Sequence, residues 1–149
     1  MTMKMTGPWT LDTVQTYLEQ AEIPVQIAAL NDDNLPVLIS LWFSYEADHI
    51  WCATQQGAKI LKLLAKNPVC AFQISSEHMP YKGVRGHANA SIHESDGARI
   101  LDKLIPKYLK EDDSKFAKWL LSRKKTEVAI RLDPISVTTW DFSNRMTSS

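Results

Sequence analysis

Apolar positions early in the chain recur with a helical period: Leu11, Val14 and Leu18 share one stripe, Asp12 sits in the first turn, and Pro24 bars continuation. This predicts a short opening helix over 10–20. From Val25 the pattern changes. The run "VQIAALNDDNLPVLISLWFSYEADHIWCAT" is rich in β-formers and is broken at Asn31-Asp32-Asp33-Asn34 and at Glu46-Ala47-Asp48, so three antiparallel strands are expected. The middle one is apolar on both faces, with Val37, Ile39, Leu41 and Phe43 on one side and Leu38 and Trp42 on the other. A strand with no wet face belongs inside a barrel or under a subunit interface.

After Lys59 the helical period returns, packing Ile60, Leu61, Leu64 and Ala65 together until Asn67-Pro68 stops it. The strand "VCAFQIS" follows. Next, "YKGVRGHANASIH" alternates, sending Val84, Gly86, Ala88, Ala90 and Ile92 one way and Arg85, His87, Asn89, Ser91 and His93 the other. Ser95-Asp96 caps a helix through Ile100, Leu101, Leu104 and Ile105, which Pro106 is expected to interrupt. A second helix groups Phe116, Trp119 and Leu120 and ends in Ser-Arg-Lys-Lys. The chain closes with two β-rich pieces either side of Asp133-Pro134. Hairpins in series, without repeated strand-helix-strand units, predict an α+β fold: a six-stranded antiparallel barrel with flanking helices, in a single domain over 1–149.

Charge excludes several partners. Lys+Arg and Asp+Glu number 17 each, so no net field recruits nucleic acid or an anionic membrane. No uncharged apolar run approaches the roughly 20 residues of a membrane span, and "MTMKMTGPWT" lacks the apolar core of a secretory signal, so a cytoplasmic protein is expected. Cys52 and Cys70 each fall inside a strand, without the spacing of a zinc or dithiol motif, and read as small buried hydrophobes, with a disulfide between the strands as the alternative. His49, His78, His87 and His93 are too scattered to form a metal site.

The chemistry concentrates in "ATQQGAK", where a strand hands over to a helix. A helix N-terminus offers free N–H groups and the positive dipole end, Gly57 admits close approach of a ligand, and Lys59 adds a mobile charge: together these suit a phosphate. The P-loop spacing of nucleotide hydrolases is absent. The competing reading is structural, since Lys59, Lys62 and Lys66 fall at helical spacing and make a wet face. In "HMPYKGVRGHANA" an aromatic, two cations and two glycines lie on and beside one strand, a composition suited to a flat anionic ligand. Trp140 in "TTWDF" sits at a strand end.

Taken in order, "LPVLISLWFSYEADHIWCATQQGAKILKLLAKNPVCAFQIS", "PYKGVRGHANA" and "LDPISVTTWDFS" resemble the pyridoxamine 5'-phosphate oxidase-like, FMN-binding split-barrel family over 23–142. The resemblance implies a split barrel, a homodimer, and an FMN in the groove between two subunits, acting on a small-molecule substrate. Carried over residue by residue, it puts Ile39, Ser40, Leu41 and Trp42 along the isoalloxazine and Thr54 and Gln55 at the ring and ribityl chain. Gly57 and Ala58 would supply backbone N–H groups, and Lys59 the charge, for the phosphate. Tyr81 and Lys82 would face the same groove from the partner subunit, and Trp140 would cover the ring. Many relatives carry a serine and an arginine where this chain has Gly57 and Ala58, which implies weaker phosphate binding unless Lys82 or Arg85 compensates. The Arg-Leu-His-Asp-Arg segment of the oxidase proper is missing, so pyridoxamine phosphate oxidase activity is not expected. The leading expectation is an FMN-dependent oxidoreductase, with a non-catalytic flavin sensor or carrier, or a deazaflavin- or haem-binding relative, as alternatives.

Overall fold

The computed structural model describes residues 3–110 and 114–146. Eight strands form one sheet: β1 (Lys4–Thr6), β2 (Val25–Leu30), β3 (Pro36–Leu41), β4 (Phe43–Glu46), β5 (His49–Gln55), β6 (Val69–Ser75), β7 (Lys82–His93) and β8 (Glu127–Asp141). Their order is β3-β2-β6-β7-β8-β5-β4, antiparallel throughout, with β1 added parallel to β8. The helices are α1 (Leu11–Gln20), α2 (Lys59–Lys66), α3 (Gly97–Leu109), α4 (Lys115–Ser122) and α5 (Ser143–Met146). The α+β split-barrel class holds, with eight strands in place of the six expected.

The difference has two sources. The middle apolar strand is two strands, β3 paired with β2 and β4 paired with β5, broken at Trp42. The other source is β1, three residues in a segment whose short apolar alternation gave no period to read. The two closing pieces around Asp133-Pro134 are instead the single strand β8. Its register against β7 shifts there, from His87↔Ser136 to Ala88↔Pro134, leaving Ile135 as the extra residue. A bulge is a place where a strand tolerates proline, and the bend lets β8 pair β5 with its first half and β1 with its second.

The inward rows are apolar except for Thr139, which pairs with Val84. Val25, Ile27, Phe43, Ile50, Cys52, Ile74, Val84, Ile130 and Leu132 are fully buried. From α1, Val14 and Leu18 join this core; from α2 come Ile60, Leu61, Leu63 and Leu64, while Ala65, expected on the packed face, is exposed. On the opposite side of β5 and β8, α3 lays Ile100 and Leu104 against Trp51 and Ala129. Contrary to expectation, Pro106 does not interrupt α3, which runs through it to Leu109. Pro106 is on the wet face, and burial of Leu101, Leu104 and Ile105 in the turn before it outweighs the lost backbone bond. In α4 the buried residue is Ala117, so Phe116 and Trp119 do not join the core. Cys52 and Cys70 are free and buried, and burial pushes their thiols up to about 12 and about 11.

Gly86 marks the tightest backbone approach in the sheet, since a Cβ there would meet the carbonyl oxygen of Ser136 at 1.8 Å. Ser136 belongs to the bulged part of β8, which cannot retreat without breaking its pairing with β1. We expect Gly86→Ala to lower stability by about 2 kcal/mol in urea unfolding; a variant as stable as the parent would show that the bulge yields freely.

Candidate functional site

The barrel opens where β3 leaves β5. Phe43 pairs with Cys52, and continuing that ladder would set Leu41 opposite Thr54, but β3 turns away to pair with β2, joining Leu41 to Val25. The strand that crosses the gap is clamped by α3. Tyr108 Oη accepts from the Phe43 N–H (3.1 Å) and donates to the Ile23 carbonyl (2.9 Å), and the Trp42 ring stacks on the Tyr108 ring at 5.0 Å and 4°. Lys107 Nζ donates to the Phe43 carbonyl at 2.6 Å, and burial pulls its amine down to about 8. Trp42 therefore turns its indole toward α3, leaving its backbone and those of Ile39, Ser40 and Leu41 at the split.

Beside the split lies the predicted phosphate turn. The Ala58 N–H is used by the Gln55 carbonyl (2.9 Å) and the Gln56 N–H by the Thr126 carbonyl (3.0 Å). Among the described residues no partner takes the N–H groups of Gly57, Lys59 and Ile60, which lead into α2. A Cβ at Gly57 would have nothing within 4 Å, so the approach is open. Lys59 is exposed and joins no ion pair among the described residues, whereas Lys66 on the same helix pairs with Asp32 at 2.9 Å. These donors fit a phosphate. Gln55 is committed elsewhere: its Nε2 donates to the Arg123 carbonyl (3.2 Å) and its Oε1 accepts from Thr126 Oγ1 (2.6 Å).

The remaining predicted residues gather at the far ends of β7 and β8. Gly83 pairs with Trp140 and Lys82 with Asp141, and the Tyr81 carbonyl accepts from the Phe142 N–H at 2.9 Å. Gly83 is what lets the Trp140 indole lie across β7, since a Cβ there would meet Cζ2 at 2.7 Å. Lys82 and Trp140 occupy opposite faces. Lys82 lines a small cleft with Trp9, Tyr17 and Asp141 under α1, while Trp140 lies on the outer face beneath the Arg85 guanidinium, 5.4 Å from the ring centroid. Two strands, β2 and β6, separate β3 from β7, a span of about 14 Å. One chain therefore does not bring the two groups of residues together.

Between them the outer face of the sheet forms a concavity of about 700 Å³. Gln26, Gln73, Arg85 and Thr138 cross it in one register row that begins at Ser40, with His87, Lys4 and Leu38 alongside and no carboxylate in the lining. Leu38 is 74% exposed there. Sequence reasoning singled out Arg85 but missed Gln26 and Gln73. Their signal was a lone polar residue within an apolar strand, which becomes a row only once the pairing is known.

No protein-family model matches the chain, and no curated protein matches it in sequence. Solved structures do match in shape. A conserved hypothetical protein from Mycobacterium tuberculosis superposes with a TM-score of 0.79 at 15% identity, covering 95% of this chain and 91% of that one. An F420 reductase gives 0.66 at 17%, covering 87% and 97%. A Listeria innocua protein provisionally described as a pyridoxamine 5'-phosphate oxidase gives 0.66 at 16%, covering 86% and 95%. The chain has the pyridoxamine 5'-phosphate oxidase-like split-barrel fold. No helix among the described residues is long and apolar enough to cross a membrane.

In this split barrel the wall behind the turn contains a buried acid. Glu127, the first residue of β8 and the partner of Gln55, is 7% exposed, and its Oε2 has no partner among the described residues. Burial pushes its carboxyl above the usual 4.5, with Gln55 and Arg123 beside it pulling the other way. The native state thus holds this proton more tightly than the unfolded chain does. Its contribution to stability falls as pH rises from about 4.5 through the native pKa and is flat above. Glu127→Gln should remove that slope, being more stable than the parent near pH 8 by about 1 kcal/mol and equal to it near pH 4. Urea midpoints measured across this range test it, and parallel profiles for the two proteins would count against it.

Proposed function

We propose that this protein binds a flavin through its phosphate and works as a homodimeric, flavin-dependent oxidoreductase on a small molecule, with FMN as the minimal cofactor. The observation that carries the reading is the open lysine turn beside the barrel split, together with an acid-free concavity that begins at Leu38 on β3, the strand that leaves the split. The backbone N–H groups of Gly57, Lys59 and Ile60 and the Lys59 ammonium would hold the phosphate. Ile39, Ser40, Leu41 and Thr54 would border the ring, with the contribution of Trp42 limited to its backbone. A bound flavin would supply the hydride or electron transfer, and the protein the orientation and the electrostatic setting.

The homodimer is supported by what one chain lacks. Lys82, at the start of β7, stands three strands from β3, and Trp140 on β8 four, so a second copy docked on the concave face would bring its own Trp140 and Arg85 toward the first copy's turn. Leu38 and the small outward residues Ala28 and Ala71 give that face an apolar centre suited to such packing.

Haem would need an axial ligand, and of the histidines only His87 lines the concavity; His93 lies against Trp51 with Nε2 bonded to Ser91. The visible spectrum of the purified protein separates the cofactors, flavin bands supporting the proposal and a Soret band overturning it. Lys59→Ala should weaken FMN binding about tenfold with an unchanged melting temperature, because an exposed lysine contributes little to the fold. Equal FMN affinity in a titration of the two proteins would remove Lys59 from the site. Leu38→Glu should convert a dimer to a monomer in light scattering and lower FMN affinity with it; a dimer that persists would place the interface elsewhere.

A further inference from the structure

A buried acid with an unpartnered oxygen is rare in a folded protein, and Glu127 is one. Alternation along β8 puts it on the same face as Ala129, the face that α3 covers, and pairing with Gln55 sets the two side chains next to each other. The start of α3 closes over it so tightly that a Cβ at Gly97 would meet the Glu127 carbonyl oxygen at 2.0 Å. An apolar side chain or an amide would fill this place without the cost of desolvating an acid.

Its surroundings hold little charge. Among the described residues, β5 presents the Gln55 amide, the 123–126 segment presents Arg123, and α3 presents the backbone of Gly97. Asp96 is turned to Arg99 (3.2 Å), and Glu94, Lys124 and Lys125 are exposed. Gln55 ties this acid to the phosphate turn. Its Nε2 donates to the Arg123 carbonyl (3.2 Å), its Oε1 accepts from Thr126 Oγ1 (2.6 Å), and its own carbonyl accepts from the Ala58 N–H (2.9 Å). The residue beside Glu127 therefore also shapes the turn that carries Gly57 and Lys59.

We propose that Glu127 is a positioning residue for this turn, acting through Gln55, and that its proton couples phosphate binding to pH. The inference rests on the flavin reading and adds regulation of the same site. Protonated, Glu127 puts no charge behind an anion site. Ionised, it opposes a bound phosphate across a poorly solvated wall. The coupling is reciprocal, so a bound phosphate tightens the hold of Glu127 on its proton by the factor that ionisation weakens the phosphate.

The test is a titration of the full-length parent and of Glu127→Gln with FMN, followed by flavin fluorescence from pH 4 to pH 8. The second ionisation of the FMN phosphate, at about pH 6, affects both proteins alike, so the ratio of their affinities isolates Glu127. The two should bind FMN equally near pH 4, and the parent about fivefold more weakly than the variant near pH 8. With riboflavin, which lacks the phosphate, the ratio should stay constant across the range. An FMN ratio that does not change with pH, or one that changes equally for riboflavin, overturns the proposal and leaves FMN binding standing. Failure of FMN to bind at any pH overturns the flavin reading and the proposal with it.

Discussion

The fold depends on one crossing. β3 and β4 are consecutive in the chain yet lie at opposite ends of the sheet, so the single peptide stretch through Leu41, Trp42 and Phe43 closes the barrel where hydrogen bonds do not. An unpaired crossing of this kind exposes backbone groups that must find partners. α3 supplies them: Tyr108 Oη accepts from the Phe43 N–H and donates to the Ile23 carbonyl, Lys107 Nζ donates to the Phe43 carbonyl, and Trp42 packs on the Tyr108 ring. Burial raises the Tyr108 hydroxyl to about 12, which keeps it a neutral donor at any physiological pH. The aromatic clamp thus holds β3 away from β5 and keeps the split open beside the turn.

Much of this was legible in the sequence because the relevant signals are local. The alternation through 82–93, the stop at Asn67-Pro68 and the turn chemistry at 31–34 and 46–48 each mark an element from within a few residues. What was not legible depends on partners distant in sequence. Trp42 continues the apolar alternation without a break, and only the competition between β2 and β5 for the same strand splits it in two. Pro106 carries a strong helix-breaking signal, but the buried side chains beside it outweigh that signal, and no local pattern reports their burial. For the site, the glycine and lysine of the turn were visible, whereas the commitment of the Gln55 side chain to Arg123 and Thr126 comes from contacts about 70 residues away.

Lys82 and Trp140 sit on neighbouring strands, almost directly paired, and still face different solvents, because the pleat sends the register pair Lys82 and Asp141 to one face and the pair Gly83 and Trp140 to the other. Of the cations near Trp140, Arg85 and not Lys82 shares the outer face with it. Arg85, and not Lys82, is therefore the cation that faces the concavity. The same pleat explains why polar residues from four strands, Gln26, Gln73, Arg85 and Thr138, fall in one line with Ser40.

Net charge conceals how the cations are deployed. Those on the flanks are neutralised in place: Lys66 by Asp32, Arg99 and Lys103 by Glu46, Lys110 by Glu22, Arg131 by Asp133. Lys4, Arg85 and Lys59, which border the concavity or the turn, join no ion pair among the described residues; Lys62 on the exposed face of α2, Lys82 under α1 and Arg145 in α5 join none either. At physiological salt a charge is screened within about 8 Å, so a ligand at these positions responds to the local group and not to the chain's balance of 17 and 17. Zero net charge argues against a long polyanion, which would have to pass over the neutralised flanks as well. It leaves room for a small one, which needs only a local group such as Lys59 at the turn.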